Sequence, residues 1–259
     1  AKAAPAVFPA PKVETESLPA GAKVESLTVI PSTVQLAGKT DYNQLIVSAK
    51  LVGGATLDVT RQAKFAASTK NVEILPGGVV VAWADGPAAL LITLGDKSIS
   101  VPCEVKGTAA AQTVDYIRDV NPVLGRMGCN QGTCHGAKDG KNGFKLSLRG
   151  YDPIYDLRAF ADDHASRRVN VAAPDNSLML LKATGAVPHV GGQLTKPNEV
   201  YYQIVRQWIA DGGRVNFKTP RVVSIEVLPQ GAVIDRAGQR QQMRVVARYA
   251  DGKLRDVTR

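Results

Sequence analysis

Leu45, Val47, Ala49 and Leu51 alternate with other residues along the chain, and so do Met243, Val245, Ala247 and Tyr249. A period of two places each set on one face of a half-buried β-strand, with mostly polar residues on the other face. Both stretches belong to a longer internal repeat. Ser26-Leu-Thr-Val-Ile-Pro31 matches Ser224-Ile-Glu-Val-Leu-Pro229, and Gln44-Leu-Ile-Val-Ser-Ala-Lys-Leu51 matches Gln242-Met-Arg-Val-Val-Ala-Arg-Tyr249. Each copy then runs into the same tetrapeptide, Asp58-Val-Thr-Arg61 and Asp256-Val-Thr-Arg259. Gly53-Gly54 and Asp251-Gly252 predict hairpin turns at corresponding places. Further strand candidates lie at residues 63–66, 79–83, 88–94 and 98–105, separated by Gly, Pro and Asp. About seven short strands in roughly a hundred residues predict a β-sandwich. Cys103 sits in the last of these runs and reads as a small buried core residue.

Between the two copies the periodicity changes. Asn121-Pro122 predicts an N-cap and first helical position, opening a short helix with Val123, Leu124 and Met127 on one side and Gly128 at its end. Asp175-Asn176-Ser177 predicts the start of a second helix, carrying Leu178, Met179, Leu180 and Leu181 and stopping at Gly185. A last helix is expected from about residues 195–197 to Gly212-Gly213, with Val200, Ile204, Val205, Trp208 and Ile209 as its apolar stripe. A long loop separates the first helix from the second.

Composition narrows the function classes. The chain has 259 residues and a formal charge of +9. Split by region, residues 1–112 carry net +1, residues 113–216 net +3 and residues 217–259 net +5. The excess is dispersed and lacks interleaved aromatics, which argues against nucleic acid and fits a solvated face or a mildly basic docking surface for an acidic partner. No apolar run approaches a membrane span. The Ala/Pro-rich opening, residues 1–22, is expected to be a mature N-terminus forming a flexible tether. The second β copy reaches only about halfway through the repeat, which leads us to expect a fragment of a longer protein.

The chemistry concentrates in Cys129-Asn-Gln-Gly-Thr-Cys134-His135. Haem of the c type is attached through two thiols that add across porphyrin vinyl groups, with an imidazole just past the second thiol under the iron; the usual spacing is Cys-x-x-Cys-His. Here four residues separate the cysteines. Gly132 lies in the enlarged gap, and its conformational freedom lets the extra residues loop out. This reading makes Cys129 and Cys134 thioether anchors and His135 the proximal iron ligand. Two other readings stay open: a structural zinc site using these residues and another His, and a disulfide. Adjacency of Cys134 and His135 favours haem, because in haem attachment the two bind different atoms. Gly136, Gly140 and Gly143 lack the preceding strand and the spacing of a phosphate loop. No carboxylate pair or nucleophile triad stands out.

The β segments resemble bacterial immunoglobulin-like domains of group two, on residues 26–31, Gly38, residues 44–51, residues 58–61 and Asp85-Gly86. Tyr116-Ile-Arg-Asp-Val-Asn-Pro-Val-Leu124, Cys129 to Cys134-His135-Gly136, Leu178-Met-Leu-Leu181 and Trp208-Ile-Ala-Asp-Gly-Gly213 resemble the planctomycete-type cytochrome c domain. The resemblance implies a mixed multidomain chain. An all-β Ig-like sandwich spans residues 23–108, a small, mainly α class I cytochrome c-like domain residues 113–216, and a partial second Ig-like segment residues 221–259. It further implies one covalent haem c, one-electron transfer with an unidentified redox-partner protein, and an extracytoplasmic location. That family places a Met-Pro-Pro loop before the last helix; Pro188-His189-Val190-Gly191-Gly192 stands there in this chain. His189 is therefore the expected distal iron ligand, with Met179, His164 and an open site as alternatives. Arg167 and Arg168 are candidates for pairing with haem propionates, as guanidinium forks suit such anions. A haem-based sensor or peroxidase-like site, and a structural or adhesion module with a Cys/His zinc site, are the rival functions.

Overall fold

A computed structural model describes residues 16–110, 113–163, 166–234 and 238–259. The chain is mainly β-sheet, with its helices short and confined to the middle, and it divides into two compact units. One unit is Thr113–Arg221; the other joins the preceding β segment to Val222–Arg259.

In the β unit, ten strands among the described residues precede the helices. They are β1 (Val24–Ile30), β2 (Val34–Ala37), β3 (Tyr42–Gln44), β4 (Ile46–Leu51), β5 (Thr56–Asp58), β6 (Lys64–Ala67), β7 (Val72–Leu75), β8 (Val79–Ala82), β9 (Gly86–Leu94) and β10 (Lys97–Lys106). They form sheets of order β1-β4-β5, β2-β10-β9-β6 and β3-β8-β7. Pairing is antiparallel except between β10 and β2, which run parallel. The predicted face is buried as a set: Leu45, Val47 and Ala49 pack in the core with Val34, Leu36, Leu90, Ile92 and Val101, and Leu51 is buried as well. Cys103 is buried there too, and burial raises its thiol to about 11. The expected alternation breaks at Ile46, which is also buried, on the opposite face of β4. Strands β2, β3, β5 and β7 were not among the sequence-derived strand candidates. Each is three or four residues long, too short to display a period.

Among the described residues four α-helices follow: α1 (Asn121–Arg126), α2 (Pro153–Ala161), α3 (Leu178–Thr184) and α4 (Val200–Ala210). None of the helices among the described residues is long and apolar enough to cross a membrane. Three expectations are corrected here. Asn121 is not an N-cap, because a π-turn at Tyr116–Val120 runs straight into α1. The cap is Asp115, whose carboxylate accepts from the amides of Ile117 and Arg118 at 2.9 and 2.8 Å. Asn121 instead donates its side-chain amide to the Gly150 carbonyl at 3.0 Å, tying the loop after the cysteines to α1. The long loop contains α2, which begins with Asp152 accepting from the Ile154 and Tyr155 amides and Pro153 at the first turn. The last helix starts later than predicted, at Val200. Its stripe is as expected, with Val200, Ile204, Val205, Trp208 and Ile209 all buried. Gly185 ends α3 in the left-handed region, as the stop signal predicted.

The second repeat copy forms β11 (Val222–Leu228), β12 (Arg244–Tyr249) and β13 (Leu254–Asp256), one antiparallel sheet. It reproduces β1-β4-β5 down to the same irregularity, between Val24 and Ser26 in one copy and between Val222 and Ser224 in the other. Both copies also have a cis peptide bond before the equivalent proline, Pro31 and Pro229. Burial differs sharply. Leu27 and Val29 are 8% and 7% exposed, whereas the equivalent Ile225 and Val227 are 63% and 41% exposed. In the first copy a second sheet covers that face; among the described residues no sheet covers it in the second.

Within the helical unit Trp208 carries the packing. Its ring lies 5.1 Å from that of Tyr116, and its indole N–H donates to the Arg214 carbonyl at 2.8 Å. Trp208→Ala is expected to cost about 3–5 kcal/mol. Chemical denaturation followed by far-ultraviolet circular dichroism should show helical signal lost at lower denaturant while the β signal persists.

Candidate functional site

The cysteine turn is built by backbone hydrogen bonds before any side chain acts. After α1, the Cys129 amide still donates to the Leu124 carbonyl at 3.0 Å, so the first cysteine leaves directly from the helix end. The Cys134 and Gly136 amides both donate to the Gln131 carbonyl, and the His135 amide donates back to the Cys129 carbonyl at 3.1 Å. The four intervening residues thus close into a loop, and its two ends meet. Gly132 was expected to supply the unusual backbone geometry. It does not: it is absent from the positive-φ residues, and a methyl group there would only touch Leu148 at 3.6 Å. The glycine that the turn requires is Gly136, where a Cβ would lie 2.2 Å from the Asn130 carbonyl oxygen. No side chain fits at that separation. Asn130 itself is 1% exposed, and both polar atoms of its side chain lack a hydrogen-bond partner.

His135 is oriented by the next turn. Lys141 and Phe144 exchange backbone hydrogen bonds at 2.9 and 3.0 Å across Asn142-Gly143, both with positive φ. That two-residue turn presents the Phe144 carbonyl to His135 Nδ1 at 3.0 Å. With Nδ1 occupied as a donor, Nε2 carries the lone pair and is the atom open to a metal. The Phe144 ring packs against the imidazole with centroids 4.6 Å apart and against Phe160 at 5.1 Å. Arg168 places its guanidinium 4.4 Å from the Phe144 ring centroid and donates to the Ala159 carbonyl at 2.7 Å. Burial lowers the pKa of His135, and the nearby positive charges of His189, Arg168 and Lys141 lower it further; the bond to Phe144 opposes them. The free imidazole is therefore held neutral, the form that ligates metals.

His189 reaches the same neighbourhood from the loop after α3. Its Nδ1 lies 3.1 Å from the Gly192 carbonyl, and the Gly192 amide returns a hydrogen bond to the His189 carbonyl at 3.0 Å. The ring rests on the backbone of Gly191, where a Cβ would come within 2.8 Å of Cε1. Lys182 on α3 pins the loop by donating to the Pro188 carbonyl at 2.5 Å. Here too Nδ1 is engaged and Nε2 is the remaining ligand atom.

Of the expected site residues, the structure gathers Cys129, Cys134, His135 and Arg168, with His189 near enough for its charge to act on His135. Arg167 is exposed and is not among the residues around Phe144. Met179 is half-buried on α3, and His164 lies outside the described residues. Two positioning features escaped sequence reading, the Phe144 carbonyl and Gly191. Asn142-Gly143 is a strong two-residue turn signal and would have located the first. Among the described residues, no three or more His, Cys, Asp and Glu side chains are grouped to hold a metal ion. Cys129 and Cys134 are separate thiols. A cavity of about 380 Å³ bordered by Asp115, Arg118, Trp208 and Arg214 shares no residue with the cysteine turn.

Two measurements probe this geometry. Burial, with the neighbouring Cys134, pushes the Cys129 thiol up to about 12. Its alkylation should be slow at neutral pH and keep accelerating towards pH 12, because the thiolate is the reactive form. Gly191→Ala is expected to displace the His189 ring, visible as a changed chemical shift for that imidazole with the fold retained.

No protein-family model matches the chain, and no curated protein matches it. Among solved structures, it is similar to part of the S-layer protein SbsC. Against domains 5–6 the identity is 19% over 37% of this chain and 49% of that one, with a TM-score of 0.29. Against rSbsC(31–844) the identity is 20% over 37% and 14% of the two chains, with a TM-score of 0.31. Against domains 4 and 5 it is 21% over 33% and 53%, with a TM-score of 0.24. The chain thus spans about half the length of the shorter SbsC structures and a small part of the longest.

Proposed function

We propose that the helical unit is a monohaem c-type cytochrome domain that performs one-electron transfer, carried by an extracytoplasmic protein with Ig-like modules. The observation that carries this reading is the fixed His135. Its Nδ1 is committed to the Phe144 carbonyl in the same closed turn that holds Cys129 and Cys134. A bound haem c would supply an iron that cycles between two oxidation states, its potential set by axial ligands and burial.

The donor set fits that group. Cys129 and Cys134 would hold the porphyrin edge through thioethers, and His135 Nε2 would face the metal. His189 offers a second imidazole with Nδ1 already tied to Gly192, and its Nε2 would be the atom to ligate the iron. Arg168 supplies a cation beside the aromatic wall of Phe144 and Phe160, suited to a propionate; Arg167 would reach one only from its exposed position. Phe144 packs on His135 and is backed by the buried Phe160, an apolar wall that would strengthen the effect of nearby fixed charges. The dispersed basic surface suits an acidic redox-partner protein. Covalent haem attachment outside the cytoplasm accounts for the proposed location.

The test is a pyridine haemochrome spectrum of the denatured protein produced with haem-attachment machinery. Colour that survives acid–acetone extraction, with a spectrum of saturated thioether-linked vinyls, is the expected result; complete extraction would sink the proposal. Cys134→Ser should lower haem incorporation and Cys103→Ser should leave it intact.

Axial ligation is tested separately. Electron paramagnetic resonance of the ferric protein should show a low-spin centre, and His189→Ala should open the reduced protein to rapid carbon monoxide binding. His189→Met, where it still ligates, should raise the reduction potential, because imidazole favours the oxidised iron more than thioether does. An unchanged spectrum in His189→Ala moves the ligand to Met179 or His164. A five-coordinate wild type favours the sensor or peroxidase-like function.

A further inference from the structure

The tetrapeptide shared by the two repeats does the same work in each. Asp58 Oδ1 accepts from the Thr60 amide and hydroxyl at 2.9 and 2.5 Å, and Asp256 Oδ1 accepts from the Thr258 amide and hydroxyl at 3.0 and 2.6 Å. The threonine hydroxyl then accepts from the central strand, from Val47 N–H at 2.8 Å in one copy and Val245 N–H at 2.9 Å in the other. Each carboxylate is left with a second oxygen, and that oxygen is used across the repeats. Asp256 Oδ2 accepts from the Gln44 amide at 2.9 Å, and Asp58 Oδ2 accepts from the Gln242 amide.

Gln44 and Gln242 are themselves equivalent, so the exchange is reciprocal. Equivalent positions also meet beside it, through different groups. Arg61 donates from its side chain to the Arg240 carbonyl at 3.0 Å. Tyr42, the equivalent of Arg240, bonds through its hydroxyl to the carbonyl and amide of Arg259, the equivalent of Arg61, at 2.9 and 2.6 Å. One reciprocal pair of contacts, flanked by two contacts between equivalent positions, describes a pseudo-two-fold interface, in which the same patch of each module faces the other. Such a patch is self-complementary and closes as a pair instead of propagating.

We propose that the face of the first repeat around Tyr42, Gln44 and Asp58 is a homotypic pairing surface. Its partner is another copy of the same Asp-Val-Thr-Arg module: the second repeat in this chain, and the first repeat of a second copy of this chain when the second repeat is displaced. The first repeat holds both halves of the exchange, the Asp58 acceptor and the Gln44 donor, so it needs no partner of different chemistry. Two asymmetric contacts favour the intrachain pair. Arg244 bridges Asp256 at 3.0 Å and Asn43 at 2.7 Å, and the equivalent position in the first repeat is Ile46, which cannot form either bond. Glu16 binds Arg61 at 2.8 Å and lies 3.8 Å from Arg240, a position occupied by Tyr42 in the first repeat. Covalent linkage adds a high effective concentration on the same side.

The test uses the full chain with Arg244→Ala and Asp256→Ala combined, which weakens docking while leaving every residue of the first repeat unchanged. Hydrogen exchange at the Gln242 amide, whose acceptor Asp58 is unchanged in this variant and which a dimer of first repeats leaves unused, reports undocking, and sedimentation velocity over a concentration series reports association, with the wild type as reference mass. The expected result is loss of protection at Gln242 together with concentration-dependent dimerisation. Adding Tyr42→Phe should then weaken the dimer roughly tenfold or more, because each dimer loses two hydroxyl contacts worth about 1 kcal/mol each. Unchanged exchange at Gln242, or a variant that stays at the reference mass after Gln242 is freed, overturns the proposal. So does a dimer that Tyr42→Phe leaves untouched, since the exposed sheet of the second repeat would then be the cause.

Discussion

The carbonyl oxygen of Phe144 accepts two hydrogen bonds, from the Lys141 amide at 2.9 Å and from His135 Nδ1 at 3.0 Å. The first closes a two-residue turn and the second fixes an imidazole, so a local backbone event sets the tautomer of a side chain nine residues away. Much else in the helical unit supports that carbonyl. Leu146 donates to the His135 carbonyl at 2.8 Å, holding the two segments in register. Asp156 on α2 accepts from the backbone and hydroxyl of Ser147, and Asn121 on α1 holds Gly150. The segment between the cysteines and α2 is thereby tied at both ends to helices. A histidine aimed by one short turn would wander; one aimed by a turn braced against two helices keeps its ring orientation.

The same economy appears at Gly136 and Gly191. Neither is among the positive-φ glycines, so close approach is what marks them: it makes Gly136 a requirement, while at Gly191 a side chain would push the His189 ring aside. At Gly136 a backbone carbonyl occupies the space of a side chain, and at Gly191 the His189 ring does. In the proposed cytochrome reading these two glycines flank the two axial ligands. One permits the cysteine loop to fold on itself and the other permits the His189 ring to lie flat against its own loop. Loops held by rigid elements commonly carry function, and here the rigidity comes from hydrogen bonds to α1, α2 and α3.

The β unit shows how one pattern yields two outcomes. Ile225 and Val227 repeat the spacing of Leu27 and Val29, and β11-β12-β13 repeats β1-β4-β5 in register. Local sequence was sufficient for strand, turn and pairing in both copies. Burial was not decided locally: Leu27 and Val29 are covered because the second sheet packs over them, and its strands β9 and β10 come from residues far along the chain. The Asp-Val-Thr-Arg ending likewise reads as a simple repeat, while its role in joining the copies depends on a carboxylate oxygen turned towards an amide in the other module.

Sequence alone was enough to establish the period-two strands, the hairpin turns, the stop of α3 at Gly185 and the buried stripe of α4, because each depends on neighbours within a few residues. It also singled out Cys129, Cys134 and His135 as a chemical cluster, since adjacency in the chain guarantees adjacency in space. It missed α2, whose Asp152-Pro153 start was a readable signal, and it placed the first helix cap at Asn121 because a π-turn leaves no periodic trace. Only the tertiary structure decided that His189 comes near His135, that Arg168 and not Arg167 stacks on Phe144, and that Gly136 instead of Gly132 is the indispensable glycine. Each of these is a contact between segments separated by turns, where the side chains that meet are chosen by packing and not by spacing.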